Sequence, residues 1–338
     1  MLNRQHLPII FIALYVALCW AATYAYGLED RFQPLFYMKT GVQFAFGLGL
    51  IYVIYWCLRA AKIMVKERPE NLTHYLWNDL KAGPLKKERW INAAPLFIGM
   101  AFFFSTFSCM KMLIPRFQPF VWDEYFADLD RLIHFGMAPW ELFQPLLGYA
   151  PVTFAISFVY ILWLGVLFLV LYWQLLSTRD MALRAQFFIA FVLSWAIQGT
   201  LMAILFSSAG PCFYEGIVGT ERFVPLMEYL RGVNETLPVW ALDTQNRLWS
   251  NYEEQKLLLG GGISAFPSIH AATATLFMLL GWRTNKLIGW LTTIFFVFIL
   301  LGSFHLAWHY AVDSYAAILV TFLIWKGSGL LTRNVLKR

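Results

Sequence analysis

Residues 152–176 read VTFAISFVYILWLGVLFLVLYWQLL and contain no charged side chain. An apolar helix of about 20 residues crosses the roughly 30 Å hydrocarbon core of a bilayer, so this stretch is long enough to span it. Over all 338 residues, 59% are hydrophobic and 14% are charged, whereas soluble domains carry about 25% charged residues. The composition therefore predicts an all-α integral membrane protein, for which no nucleic-acid partner is expected.

Seven further stretches have the length and composition of membrane spans, which gives eight predicted transmembrane helices. The sixth is short and opens with a proline, and the last two are separated by a short turn. The predicted spans are 7–27, 40–60, 92–113, 152–176, 185–206, 266–282, 287–307 and 309–327.

Lysine and arginine concentrate in the connections on one side of this arrangement, above all in the loop 59–90. Because basic loops stay in the cytoplasm, both termini are predicted to be cytoplasmic. The external side then holds residues 114–151, which resemble helical pieces lying in the interface, and the long loop 207–265. The compact chain favours a bacterial inner membrane, with these segments on the periplasmic face.

The segment Ser264-Ala-Phe-Pro-Ser-Ile-His270 stands at the external start of the sixth span. Proline suits the first turn of a helix, so Ser268 and His270 are expected among the free backbone N–H groups of that helix start. Such a terminus favours anions, phosphate included.

A second polar segment, Gly302-Ser-Phe-His-Leu-Ala-Trp-His-Tyr-Ala-Val-Asp313, separates the last two spans. The i, i+4 spacing of His309 and Asp313 predicts that both lie on one helical face within reach of each other. A carboxylate on one imidazole nitrogen fixes the tautomer and raises the basicity of the other, as a nucleophile or base requires. His305, four residues before His309, is expected on the same face, either contacting phosphate or hydrogen-bonding a neighbouring helix.

Together the two segments resemble the second and third signatures of the type-2 phosphatidic acid phosphatase superfamily, Pro-Ser-x-His and His-x-x-x-Asp. The resemblance implies a six-helix core bundle, here residues 91–338, preceded by two additional helices in residues 1–90. It also implies that His309 attacks phosphorus, Asp313 orients His309, and His270 protonates the leaving oxygen, without a metal or cofactor. The expected phosphate- and substrate-binding residues are Ser268, His305, Ser303 and Tyr310.

Finer details are similar to one branch, inositol phosphorylceramide synthase and its bacterial relatives, which act in sphingolipid metabolism. In that branch the second signature reads Phe-Pro-Ser-x-His and the third His-Tyr-x-x-Asp, as around His270 and His309 here. The segment Gly210-Pro-Cys-Phe-Tyr214 also resembles this branch.

Two departures concern the cations that hold phosphate in the phosphatases. Ser207-Ser-Ala-Gly-Pro211 stands where the phosphatases carry a Lys and Arg-Pro signature, and Phe304 stands where they carry arginine. A phosphomonoester carries close to two negative charges and a diester only one, so a site without these cations favours the diester. Alternatively, cations from the external loop replace them; the candidates are Arg222, Arg231 and Arg247.

The favoured function is therefore a membrane lipid phosphotransferase, working through a phosphohistidine. It would move a phospho-headgroup from a phospholipid donor to a lipid or sugar alcohol. A lipid phosphate phosphatase, acting on phosphatidate or an isoprenyl diphosphate, is the first alternative, since water would then resolve the same intermediate. The second is a transporter or structural membrane protein, although the paired repeats and broken helices typical of transporters are not evident.

Overall fold

The computed structural model describes residues 7–35, 37, 56–66, 70–82, 86–254 and 260–336, and these residues form helices and no strand. Six of the described helical stretches are long and apolar enough to cross a membrane. This result confirms the predicted all-α membrane fold. The six stretches are Leu7–Ala25, Arg89–Phe117, Ala150–Leu176, Met181–Leu205, Lys286–His305 and Ala311–Arg333.

Two predicted spans are not among these six. The stretch 40–60 lies mostly outside the described residues, although residues 56–66 are helical. The predicted span 266–282 corresponds to a helix over Ile269–Thr284, which has only 16 residues and is buried in the bundle. The helices are α1 Leu7–Ala25, α2 Leu72–Ala82, α3 Lys87–Phe117, α4 Asp123–Ile133, α5 Pro139–Leu147, α6 Ala150–Ile161, α7 Trp163–Leu176, α8 Met181–Ala196, α9 Tyr214–Val218, α10 Val224–Asn234, α11 Trp240–Glu253, α12 Ile269–Thr284, α13 Lys286–His305 and α14 Ala311–Leu336.

Side-chain caps fix where three of the helices begin. The Asp180 carboxylate accepts a hydrogen bond from Leu183 N at 2.8 Å, and the Asn285 amide oxygen accepts one from Ile288 N at 2.9 Å. Ser268 caps α12 in the same way, accepting from Ala271 N at 3.2 Å. Each cap satisfies a backbone N–H that the first helical turn leaves without a partner. The starts of α8, α12 and α13 are therefore encoded locally.

Helix α12 lies at the centre of the bundle, in contact with α8, α13 and α14. Small side chains allow α12 to pack closely against its neighbours at this central position. Ala271 and Ala272 form a fully buried cluster with Ala317 of α14. Small residues at helix interfaces let backbones approach closely in membrane proteins. Aromatic rings fill the space on the other side of α8, where Phe103 of α3 packs against Phe191 and Trp195.

The segments predicted to be external are also helical. The predicted interfacial pieces within 114–151 are confirmed as helices by α4 and α5, and the loop 207–265 contains α9, α10 and α11. The loop returns to the bundle at Gly262, whose φ is +89°. A Cβ added there would lie 2.8 Å from the carbonyl carbon of Lys111 in α3. The glycine therefore allows the segment that leads into α12 to pack directly on the backbone of α3.

Substitution of Gly262 should reveal the importance of this contact. Gly262→Ala places a methyl group against the backbone of Lys111, whereas Gly260→Ala, at φ +67°, meets nothing within 4 Å. Both variants introduce a left-handed alanine, which costs about 1–2 kcal/mol, but only Gly262→Ala adds overpacking of about 1–3 kcal/mol. We expect the thermal unfolding midpoint in detergent to fall more for Gly262→Ala. Equal shifts in the two variants would contradict the proposed contact.

Candidate active site

The two polar segments that the sequence singled out meet at the end of the bundle where α12 and α14 begin. Nε2 of His309 lies 3.3 Å from Nδ1 of His270, although the residues are 39 positions apart. His270 is in the first turn of α12, and His309 is in the short connection between α13 and α14. The two histidines to which the resemblance assigns catalytic roles therefore lie side by side.

The geometry of His309 differs from the expected helical face. His309 lies in a turn before α14, which begins at Ala311, so it shares no helix with Asp313 or with His305, the last residue of α13. The turn nevertheless brings Nδ1 of His309 to 3.5 Å from Oδ2 of Asp313. The i, i+4 prediction was correct about proximity and wrong about its cause, because a tight turn and not a continuous helix brings the two together.

A backbone carbonyl is the nearest partner of His309. Nδ1 lies 2.8 Å from the carbonyl oxygen of Ala265, to which it donates, and this leaves a lone pair on Nε2 facing His270. Burial lowers the pKa of His309 to about 3; the nearby charge of Lys111 acts in the same direction and the Ala265 hydrogen bond against it. The imidazole is therefore neutral at physiological pH, as a nitrogen nucleophile must be.

Ser268 links the two polar segments through a backbone hydrogen bond. Its N–H donates to the carbonyl oxygen of Asp313 at 3.2 Å, while its buried hydroxyl oxygen caps α12. Since that oxygen accepts from Ala271 N, its own O–H remains available to donate to a ligand. This arrangement suits the predicted phosphate contact.

The other three predicted binding residues have structural contacts. The carbonyl oxygen of Ser303 accepts from His309 N at 2.9 Å, and its hydroxyl donates to Ile299 O. Tyr310 directs its hydroxyl away to a carboxylate in α4. His305 is fully buried, with Nε2 2.9 Å from the Thr153 hydroxyl of α6. Of the two roles foreseen for His305, the neighbouring-helix hydrogen bond is the one observed.

An aromatic wall surrounds His270. The ring of Trp163 lies 4.3 Å from the His270 ring, and the ring of Tyr160 lies 4.8 Å away, both centroid to centroid. Trp308, next to His309, stacks on Tyr160 at 6.3 Å. These rings exclude water from the inner side of the histidine pair.

Two buried carboxylates on one face of α4 form hydrogen bonds to the residues that directly follow His309. Neither was singled out from the sequence. Asp130 accepts from Ala311 N at 2.8 Å and from Val312 N at 2.9 Å, so it caps α14. Asp123 accepts from the N–H of Gly210 and from the hydroxyl of Tyr310, each at 2.8 Å. Their seven-residue spacing in an amphipathic segment was a signal of a shared face, but the sequence does not indicate their partners.

Burial affects the protonation of both carboxylates. It raises the pKa of Asp130 to about 6, and the two backbone N–H donors oppose this shift by favouring the charged form. Burial likewise raises the pKa of Asp123 against its own N–H donors. Both side chains are at least 97% buried, with 3% exposure for Asp130 and 1% for Asp123.

The loop arginines do not supply cations to the histidine pair. Arg222 pairs with Asp128 at 2.8 Å, on the exposed side of α4, and donates to the carbonyl oxygen of Ala127. Arg231 and Arg247 have exposed side chains. Among the described residues, the cation that affects His309 is instead Lys111 of α3, whose charge lowers the pKa of His309. An ionisable residue inside the apolar span 92–113 is the signal that could have revealed it.

Asp130→Asn should destabilise the connection that carries His309. The amide keeps one acceptor and turns an N–H₂ group toward a backbone N–H, so a buried donor loses its partner at a cost of about 1–3 kcal/mol. Asp128→Asn is the matched control, because its carboxylate is 74% exposed and an exposed ion pair contributes about 0–1 kcal/mol. We expect the unfolding midpoint to fall clearly only for Asp130→Asn. Similar midpoints for the two variants would contradict the capping role.

Comparison with known proteins identifies the family. A family model described as PAP2 superfamily matches residues 124–326, which include both histidine segments. Searches of curated proteins and of solved structures found no match. Among the described residues, no group of three or more His, Cys, Asp or Glu side chains is placed to hold a metal ion. Since the match covers more than half of the 338 residues, the chain belongs to the PAP2 superfamily, the type-2 phosphatidic acid phosphatase superfamily of membrane phosphatases and phosphotransferases.

Proposed function

We propose that the protein is a lipid phosphotransferase that moves a phospho-headgroup from a membrane phospholipid to a lipid or sugar alcohol. The observation that carries the proposal is the neutral His309, whose Nε2 lone pair lies 3.3 Å from His270 inside an aromatic wall. An imidazole in this state is a nucleophile, and a second imidazole at this distance is placed to move the proton that the reaction requires.

In the first step, Nε2 of His309 attacks the phosphorus of the donor diester. A P–N bond forms and the bond to the diacylglycerol oxygen breaks. His270, protonated once the anionic phosphate lies beside it, gives its proton to that oxygen. The imidazole of His309 becomes cationic, and the Asp313 carboxylate 3.5 Å from Nδ1 stabilises this charge. The Ala265 carbonyl keeps the ring in its orientation.

In the second step, an alcohol attacks the phosphohistidine. His270, now neutral, takes the hydroxyl proton, the new P–O bond forms, and the P–N bond to His309 breaks. Both histidines return to their starting states, so the cycle balances. The Ser268 hydroxyl and the free amides at the start of α12 would hold the phosphoryl oxygens in both steps.

Transfer is favoured over hydrolysis by the small positive charge of the site. Phe304 replaces the arginine of the phosphatases, and Arg222 is paired with Asp128. A dianionic monoester would therefore be poorly neutralised, whereas a diester carries a single charge. The resemblance to inositol phosphorylceramide synthase supports an inositol phospholipid as donor and ceramide or diacylglycerol as acceptor. The charge distribution of the loops supports an active site on the non-cytoplasmic face, which is the periplasmic face in the bacterial inner membrane that the compact chain favours.

A headgroup-transfer assay tests this function. Purified protein in detergent is given labelled phosphatidylinositol or phosphatidate, each with and without ceramide or diacylglycerol, and both headgroup transfer and free phosphate are measured. We expect transfer that requires the acceptor. His309→Ala should reduce it at least about 1,000-fold because the nucleophile is lost, and Asp313→Asn should also reduce it strongly.

His74→Ala is the matched control, since His74 is exposed in α2, away from the pair. It should retain the activity of the unsubstituted protein. Retained turnover in His309→Ala would overturn the nucleophile. Release of free phosphate from phosphatidate, indifferent to acceptor, would identify the protein as a phosphatase instead.

A further inference from the structure

Lys111 is a charged residue near the external end of α3, in an otherwise apolar stretch. Within the described part of the chain, its ammonium group has no hydrogen bond and no ion pair. An unpaired ammonium at membrane depth is costly, and such residues usually serve a ligand or an ion. It lies before the matched family region 124–326, so the family match assigns it no role.

The face of α3 that bears Lys111 points to the histidine pair. Phe107, one turn earlier on that face, lies 4.6 Å from Trp195, which stacks at 6.3 Å on Trp163. The Trp163 ring is in turn 4.3 Å from His270. On the other side, the backbone of Lys111 packs against Gly262, three residues before the carbonyl that holds His309.

Two indole N–H groups near the pair also have no partner. Nε1 of Trp163 and Nε1 of Trp308 are buried and make no hydrogen bond to any described residue. Their rings lie 4.3 Å and 6.5 Å from the ring of His270, and Trp163 as a whole is only 9% exposed. Buried donors without acceptors are rare because each costs about 1–3 kcal/mol. A bound anion would satisfy them.

We infer that Lys111, Trp163 and Trp308 form a phosphate subsite that takes the singly charged phosphodiester of a membrane phospholipid. The ammonium supplies one positive charge and the indoles supply neutral N–H donors, so the subsite matches one negative charge. This inference rests on the proposed function and names the residues that select its donor. A phosphomonoester would bring a second negative charge into an apolar site where, among the described residues, only His270 could become cationic to offset it, and burial lowers the pKa of His270.

Binding without turnover tests the subsite. The full chain carrying His309→Ala is titrated in detergent with dioctanoyl phosphatidylinositol or with dioctanoyl phosphatidate at pH 7, and the unfolding midpoint reports binding. We expect the diester lipid to bind more tightly. Adding Lys111→Met should weaken diester binding about 10- to 100-fold, the range expected for a charged hydrogen bond.

Three further variants separate the effect of charge from the effect of folding. Lys111→Arg keeps the charge and should stay within about 5-fold of the parent, and Trp163→Phe keeps a ring but loses the N–H, which should weaken binding about 5-fold. Lys87→Met removes an exposed lysine at the opposite end of α3 and should change nothing.

Two results would overturn the subsite: unchanged diester binding in both Lys111→Met and Trp163→Phe, or tighter binding of phosphatidate than of phosphatidylinositol. Should Lys111→Met fail to fold, Trp163→Phe and Lys111→Arg decide the question. Because the titration involves no turnover, its outcome is independent of whether the transfer assay succeeds.

Discussion

The carboxylate of Asp130 binds the first two N–H groups of α14, and the geometry of the active site depends on this contact. The contact fixes the start of α14. This helix contains Asp313 and comes directly after the turn that carries His309. A helix start with free N–H groups attracts anions, so Asp130 also closes this terminus to phosphate. The start of α12, next to Ser268, is thereby left free for the proposed phosphate. One buried interaction thus fixes the position of the proposed nucleophile, His309, relative to this helix start.

Local sequence patterns predicted the spans that the structure describes and the two segments that form the site. The helix start near Ser268 and the spacing between His309 and Asp313 are encoded within a few residues, so a single sequence reveals them, although the cap made by Ser268 itself was not predicted. Contacts between distant segments were not predictable in this way. Asp130 meets α14 across more than 180 positions, and Lys111 approaches the histidines from a helix that precedes the family region. Their partners follow from the packing of the bundle and not from any motif.

Few charges lie near the histidine pair, and the proposed chemistry follows from this. Burial keeps His309 neutral, and among the described residues Lys111 is the cation whose charge affects the pKa of His309. In a low-dielectric site each uncompensated charge is expensive, so the number of cations limits the charge of the substrate. In the proposed subsite, the indole N–H of Trp163 would add a hydrogen bond to the phosphate without adding positive charge. A membrane enzyme built in this way is suited to passing a diester headgroup between lipids.

Trapping the covalent intermediate tests the central claim most directly. Purified protein is incubated with phosphatidylinositol labelled in its headgroup and phosphate, without acceptor, then quenched in alkali, digested and analysed by mass spectrometry. The account predicts an inositol phosphate adduct on the peptide containing His309, stable in alkali, labile in acid, and lost when an alcohol acceptor is added before the quench. An adduct on another residue, or acceptor-dependent transfer with no adduct on His309, would contradict it.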